Sequence, residues 1–510
     1  MEEATTLDGK ERALLLGLPL VKFIIHLATL PGYGIFRDEL YYLACAARPA
    51  FGYVDHPPLS IWLLGGVTAV FGDSLWVIRL LAAFAGAATV LVVGLIARRL
   101  GGGTFAQALA MVAAIAAPIY LALDHFYSMN ALDLLLWTLA AWALTGVLRD
   151  DRPKDWLLLG VVLGLGLLNK ISVLWLGFGL LVGLVLTPRR RDLLKPGPWI
   201  AGGVAFLLFL PHVIWQIANG WPTLEFIRNA TQNKMVDVAP VDFVLNQLLM
   251  MGPLAALVWL PGLFYLLIGK KAEPWRMLGW IWVTVFLLLM LSGSSRANYL
   301  AASYGWLFAA GGVIWERWSA ERRWLRPAAV AAIALQGIFL APLALPVLPV
   351  PTYVAYAQSL GIAPSTEERK ELAELPQFFA DMHGWEEKVE AVAEVYEGLP
   401  PEDREKACIY AQNYGVAGAM EYLGRDHGLP PAIAGHNNYW LWGPGECSGE
   451  VLLILGGRRE DHEQVFAEVE AAAVIDCGYC MPYENNQTIW VARGPNASFE
   501  EVWPRVKHYD

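Results

Sequence analysis

The sequence predicts a polytopic α-helical membrane protein that carries a soluble α/β domain at its C-terminal end. Three observations carry this expectation. Hydrophobic residues make up 56% of the 510 positions and charged residues only 16%, against roughly 25% charged in an average soluble domain, and the mean hydropathy is +0.43. Apolar segments of membrane-spanning length recur from about residue 13 to residue 347. From about Ser365 charged residues become frequent and apolar runs shorten to strand length. The net charge is −10, with much of the acid after residue 364. No nucleic-acid partner is expected; the expected partner of the first part is the bilayer.

A hydrocarbon core of roughly 30 Å takes about 20 apolar residues of helix. Segments of that kind lie near 13–31, 76–97, 104–122, 131–148, 156–169, 171–187, 199–217, 243–268, 275–292, 298–315 and 327–347, about eleven spans, with 59–71 a twelfth or an interfacial helix. The start, MEEATTLDGKER, is polar and acidic and lacks the basic start and cleavage site of a signal peptide. The first span is therefore expected to be retained. Lys and Arg cluster at Lys10/Arg12, Arg98/Arg99, Arg149/Arg152/Lys154, Arg189–Arg191/Lys195, Lys270/Lys271/Arg276 and Arg317/Arg322/Arg323/Arg326. These fall in every second loop, which with the N-terminus inside is the positive-inside pattern. An odd number of spans then places the C-terminal region outside the cytoplasm, with the first part embedded in the cell inner (plasma) membrane.

The sequence divides into a transmembrane domain over 1–350 and an extracytoplasmic α/β domain over 365–510, with a Pro-rich exit at 340–354. Strands are expected at 407–412, 451–457, 472–477 and 488–494, and helices at 366–397, 415–424 and 459–471. Cys477-Gly-Tyr-Cys480, with Cys408 and Cys447, is expected to form one or two disulfides outside the cytoplasm; redox and zinc readings of that motif stay open.

The topology sorts the polar residues to one side. Asp38, Glu39, Asp55 and His56 lie in the first outer loop, in RDELYYLACAARPAFGYVDHPPL. Asp124 and His125 end the third span and Asp133 begins the fourth. Lys170 lies between the fifth and sixth spans, Arg228 and Lys234 near the outer end of the seventh, and Arg296 and Tyr299 between the ninth and tenth. Ionisable groups at membrane depth are costly and usually face a cavity or one another, so these are expected to converge on one extracytoplasmic chamber. Carboxylates there can deprotonate a hydroxyl or hold a divalent cation; Asp38, Glu39, Asp55 and His56 are the candidate ligands if a metal is used. Lys170, Arg228 and Arg296 can neutralise a phosphate. Each residue also has a plainer reading. Asp38 and Glu39 can be first-turn acids, Asp55-His56-Pro57-Pro58 can be turn chemistry, and Lys170 can anchor to headgroups. Lys22 and His26 in the first span are expected to pair within the bundle.

The stretches RDELYY, GYVDHPPL, YSMNALDLLLW, GLGLLNK, LPHVIWQIANGWPTLEFIRN and SRANYLAASYGWLFAAGG come in an order that resembles the GT-C glycosyltransferases, specifically the family 39/83-like group of protein mannosyltransferase and aminoarabinose-transferase relatives. The resemblance covers roughly residues 10–345. It implies transfer of a sugar from a polyprenyl-phosphate donor to a hydroxyl of an envelope lipid, glycan or protein on the extracytoplasmic side, with inversion. By motif, it implies Asp38 as catalytic base with Glu39 beside it, Asp133 as the second acidic position, and Lys170 and Arg296 as contacts to donor phosphate. Asp55, His56, Asp124, His125, Arg228 and Tyr299 are the further expected substrate-binding residues. A transporter or flippase of a lipid-linked or small polar solute is the alternative, and it is disfavoured because the polar groups are one-sided and no inverted repeat is visible. A tail that acts alone on a membrane anchor is the third reading.

Overall fold

The computed structural model describes residues 8–510; most of the acidic start lies outside the described residues. The chain forms two compact units. One comprises Met1–Gly32, Trp76–Trp215 and Asp237–Leu348, the other Tyr33–Leu75, Gln216–Val236 and Pro349–Asp510.

The first unit is built of helices. Among the described residues six helices are long and apolar enough to cross a membrane: Gly9–Thr29, Leu75–Arg99, Met129–Asp150, Pro196–Ala218, Lys270–Leu291 and Leu325–Ala344. Two bent pairs, Val173–Leu186 with Pro188–Leu194 (109°) and Pro240–Met251 with Pro253–Ile268 (97°), bring the count to at most eight. Hydropathy led to an expectation of about eleven spans; six to eight are carried by helices or bent pairs of this length. The expected span 104–122 is interrupted at Ala117, where extended backbone precedes Pro118 and a new helix, Pro118–Leu123, begins. Proline disfavours the helical conformation of the residue before it. The expected span 298–315 is a 3-10 turn, Ala297–Ser303, followed by a helix of 14 residues, Gly305–Trp318. A hydropathy window sums composition and passes over such breaks. Small residues let helices close up here, as is common in membranes. A Cβ on Gly262 would collide with the Leu307 carbonyl, and one on Gly311 with the Val258 carbonyl.

The second unit is organised by a five-stranded sheet: β1 Ala407–Ala411, β2 Ala432–Ala434, β3 Val451–Leu455, β4 Phe466–Ile475 and β5 Gln487–Pro495. The order is β2-β1-β3-β5-β4. β1 pairs in parallel with β2 and β3, and β5 runs antiparallel to β3 and β4. Four of the five strands fall where the sequence places them, though β4 starts earlier. The expected helix 459–471 is helical only over Arg459–Glu463, and from Phe466 onward it is strand. Its Glu- and Ala-rich composition favours helix, but β4 is a half-exposed edge whose backbone pairs along β5 from Phe466 to Ile475, and that ladder overrides local propensity. The expected helix 366–397 is reduced to Gln377–Ala380 and Trp385–Gly398. Disulfides join Cys408 to Cys447 and Cys477 to Cys480, and Cys45 is a buried free thiol.

The helix Arg37–Ala46 of the first loop packs on the helix Tyr414–Tyr422, which follows β1. The approach is close: a Cβ on Gly418 would lie 2.9 Å from the Leu40 backbone, and one on Gly415 would lie 2.6 Å from Arg37 Cγ. These two glycines set how near the first-loop acids come to the tail.

Candidate active site

In the second unit the site is built around the start of the helix Arg37–Ala46. The two neighbouring acids have different fates. Glu39 is fully buried, and its Oε2 accepts the Phe36 backbone N–H at 2.8 Å, one of the donors that a helix N-terminus leaves unsatisfied. Asp38 keeps partial exposure and accepts a hydrogen bond from the Tyr414 hydroxyl at 3.0 Å. The protein packed around Asp38 pushes its carboxyl above the usual carboxylate range, while the Arg37 guanidinium and the Tyr414 hydroxyl hold that rise in check. Burial, then the Asp38 charge, pushes the Tyr414 phenol well upward, so it stays a donor.

Arg37 anchors this corner. Its side chain lies 3.7 Å from Asp381 and 3.8 Å from Glu484, donates to the Tyr483 hydroxyl and sits 5.1 Å from the Tyr414 ring centre. Glu484 in turn pairs with the buried Lys388 at 2.5 Å and accepts from Asn413 at 3.2 Å. Burial pushes Asp381 up to about 7, against the pull of Arg37. Asp55 accepts from the Tyr41 hydroxyl at 2.9 Å. His56 lies beneath Tyr42 and Tyr53, with ring centres 4.7 and 5.0 Å away; its Nδ1 meets the Pro57 carbonyl at 3.0 Å, and its Nε2 faces Asp55 at 3.9 Å. Asn438 of the tail accepts the Val54 N–H at 2.7 Å. Lys234, 3.6 Å from Glu368, adds positive potential at Asp38. Arg228 is solvent-exposed on the helix Pro222–Asn229.

In the first unit the structure brings Asp133, Lys170 and Tyr299 together. Lys170 caps the helix Pro153–Asn169 in extended conformation. Its ammonium donates to Asn130 Oδ1 at 2.8 Å, lies 3.4 Å from Asp133 and 5.2 Å from the centre of the Tyr299 ring. Ser172 donates to Asp133 at 2.9 Å, and the Asn169 side chain ties the corner to the Met129 carbonyl at 2.8 Å. Arg296 precedes the turn Ala297–Ser303, where its carbonyl accepts the Tyr299 N–H at 3.1 Å. Asp124 and His125 belong to a separate buried group. Asp124 pairs with Lys22 at 3.0 Å, and Lys22 donates to the Tyr120 carbonyl at 3.0 Å. His125 lies 3.5 Å from Arg79 and 3.5 Å from Thr29. Lys22 of the first span thus finds its partners inside the unit, whereas both ring nitrogens of the buried His26 lack a hydrogen bond among the described residues and its ring lies 6.4 Å from that of His125.

Sequence reasoning passed over Arg37, Tyr414, Asn438 and the Lys388–Glu484 pair. A usable signal existed. Asn413-Tyr414 and His436-Asn437-Asn438 each follow a parallel strand, and ligands of open α/β sheets gather at the carboxyl ends of such strands.

Residues 55–215 match the family described as dolichyl-phosphate-mannose-protein mannosyltransferase. The chain is 24% identical over 276 residues to lipid A galacturonosyltransferase RgtD of Rhizobium johnstonii, covering 53% of this chain and 58% of that one. It is 33% identical over 223 residues to the undecaprenyl phosphate-alpha-4-amino-4-deoxy-L-arabinose arabinosyl transferase of Pseudomonas paraeruginosa, covering 39% and 40%. The matched region thus spans less than two thirds of either relative. Among solved structures, ArnT from Cupriavidus metallidurans bound to undecaprenyl phosphate aligns over 94% of this chain and 97% of its own, with a TM-score of 0.61 at 15% identity. The archaeal oligosaccharyltransferase AglB from Archaeoglobus fulgidus aligns over 84% and 65%, with a TM-score of 0.52 at 14% identity. The fold is similar to that of these solved structures, apolar helices joined to a C-terminal α/β region, as the order of motifs led one to expect.

Proposed function

We propose that the protein is an integral inner-membrane glycosyltransferase that moves a sugar from a polyprenyl-phosphate donor to a hydroxyl of an envelope lipid, glycan or protein, on the extracytoplasmic side and with inversion. The observation that carries the reading is Asp38: a carboxylate at a helix start, partly open to solvent and steered by a phenol donor 3.0 Å away. That is the arrangement of a general base whose proton affinity burial raises and whose direction a donor sets. In the reaction the acceptor oxygen bonds to the anomeric carbon as the carbon–oxygen bond to phosphate breaks. Asp38 takes the hydroxyl proton, and polyprenyl phosphate leaves with the electron pair. Lys170 neutralises the leaving phosphate, a form of stabilisation that is strongest where charge develops. Its tether to Asn130 and Asp133 holds the ammonium in place before the donor arrives. Arg296 serves the same phosphate. The names of the relatives support this reading, since they act with polyprenol- or undecaprenyl-phosphate sugars or on lipid A.

A divalent cation would find Asp38, Asp55 and His56 Nε2 as its open ligands, since Glu39 is committed to the Phe36 N–H and His56 Nδ1 to the Pro57 carbonyl. No step is routed through one. The test is transfer of labelled sugar from synthetic polyprenyl-phosphate donors by purified protein, coupled to mass spectrometry of envelope lipids and glycans with and without it. The expected result is a lost mass increment in the cells and transfer in the tube. Solute flux in liposomes without transfer would replace this reading with that of a transporter.

A further inference from the structure

We propose that His436, His508 and Asp510 form a binding site for one divalent transition-metal ion of the zinc class. The site does not rest on the transferase reading. One ligand atom from each of the three residues lies within 4.8 Å of the other two. Two imidazoles and a carboxylate are the donor set that such ions take, with a water completing a tetrahedron.

The backbone presents the two imidazoles side by side. Residues 436 and 508 form a parallel bridge, in which Asn437 N–H donates to the His508 carbonyl at 3.0 Å and His508 N–H to the Gly435 carbonyl at 2.9 Å. A Cβ on Gly435 would collide with the Val506 carbonyl, so only glycine admits this approach. The two rings stack with centres 4.6 Å apart. His508 Nδ1 donates to the Val506 carbonyl at 3.0 Å, which leaves the lone pair on Nε2. An imidazole whose other nitrogen is held by a carbonyl is the usual form of a metal ligand. Asp510 Oδ1 is buried without a hydrogen bond, 3.4 Å from His436 Nε2. A buried carboxylate oxygen left in this state calls for a partner, and a cation between it and the two rings supplies one.

His436 Nε2 meets the Asp510 main-chain oxygen at 2.9 Å, and its Nδ1 receives the Tyr414 N–H at 3.4 Å. Ligation by Nε2 moves the ring proton to Nδ1, so it gives up that long contact. The Tyr414 ring rests on His436 with centres 4.7 Å apart, and its hydroxyl holds Asp38. Occupancy of the site therefore reaches Asp38 through a single side chain.

The test uses the full-length protein in detergent, stripped with chelator and titrated with Co²⁺ followed by its visible d–d absorption. The expected result is one equivalent of Co²⁺ per chain, displaced by Zn²⁺, with binding weaker by more than about tenfold in H508A and in D510N. Thermal unfolding of each variant without metal checks that it folds. Three results would overturn the proposal: no uptake by the wild-type protein, wild-type affinity in both folded variants, or a thiolate-to-metal charge-transfer band that disappears in a C477S/C480S double variant.

Discussion

The hydroxyl of Tyr414 donates to the carboxylate of Asp38 at 3.0 Å, across 376 residues of chain. A hydrogen bond to an ionised group contributes roughly 1.5–3 kcal/mol, so Tyr414 favours the charged form of Asp38 and fixes its direction. Y414F is expected to fold, to lower kcat about tenfold with little change in donor KM, and to move the acid limb of the pH–rate profile to higher pH, because the carboxylate loses a donor that held its proton affinity down. A merely structural role would leave that limb where it is.

D38N removes the base and keeps the shape. Loss of a general base typically costs 10²–10⁴ in rate, so turnover is expected to fall by roughly that factor while binding of labelled polyprenyl phosphate persists. Near wild-type transfer by D38N would take Asp38 out of the mechanism.

Much of the fold was legible because its signals are local. Apolar runs marked the helical part, and the runs ACIYAQ, VLLILGG and TIWVARG became central strands because a buried strand must be apolar on both faces. What was not legible depends on distant partners. β4 needs β5 to be a strand, and the interruptions at Pro118 and Gly252 are invisible to averaged hydropathy. Asp38, Asp133 and Lys170 stood out because ionisable groups in an apolar setting are rare. Tyr414 did not, because an Asn-Tyr pair after a strand has no meaning until the helix it opens is seen packing on Leu40. Glu39 shows the converse: its position beside Asp38 suggested chemistry, and the Phe36 N–H absorbs it.

Lys170 and Asp133 lie 3.4 Å apart and both are largely buried. Removing one partner of such a pair costs more than removing both, since the survivor is left as an unpaired buried charge. K170Q is expected to lower the thermal midpoint and to raise donor KM at least tenfold. Adding D133N should restore the midpoint without restoring donor KM, which separates the structural pairing from phosphate binding. Recovery of both in the double variant would show that Lys170 serves only the fold.

Asp381 gives the tail a pH-dependent stability. Burial pushes its carboxyl from 3.8 up to about 7, so the folded state holds this proton more tightly than the unfolded chain. The unfolded chain therefore releases the proton first as pH rises. The stabilisation is full below about pH 4 and is lost as pH climbs to about 7, an effect on the order of a few kcal/mol for a group this buried. The opposing group is Glu484, where burial raises and Lys388 and Arg37 lower, with a net depression; its contribution is present above the ordinary Glu range and is lost only in stronger acid, outside this window. D381N cannot titrate. The thermal midpoint of the wild type, referred to that of D381N, should fall between pH 5 and 7.5 and level off above. A difference that stays flat across that interval would show that the Arg37 guanidinium, 3.7 Å away, keeps Asp381 ionised throughout.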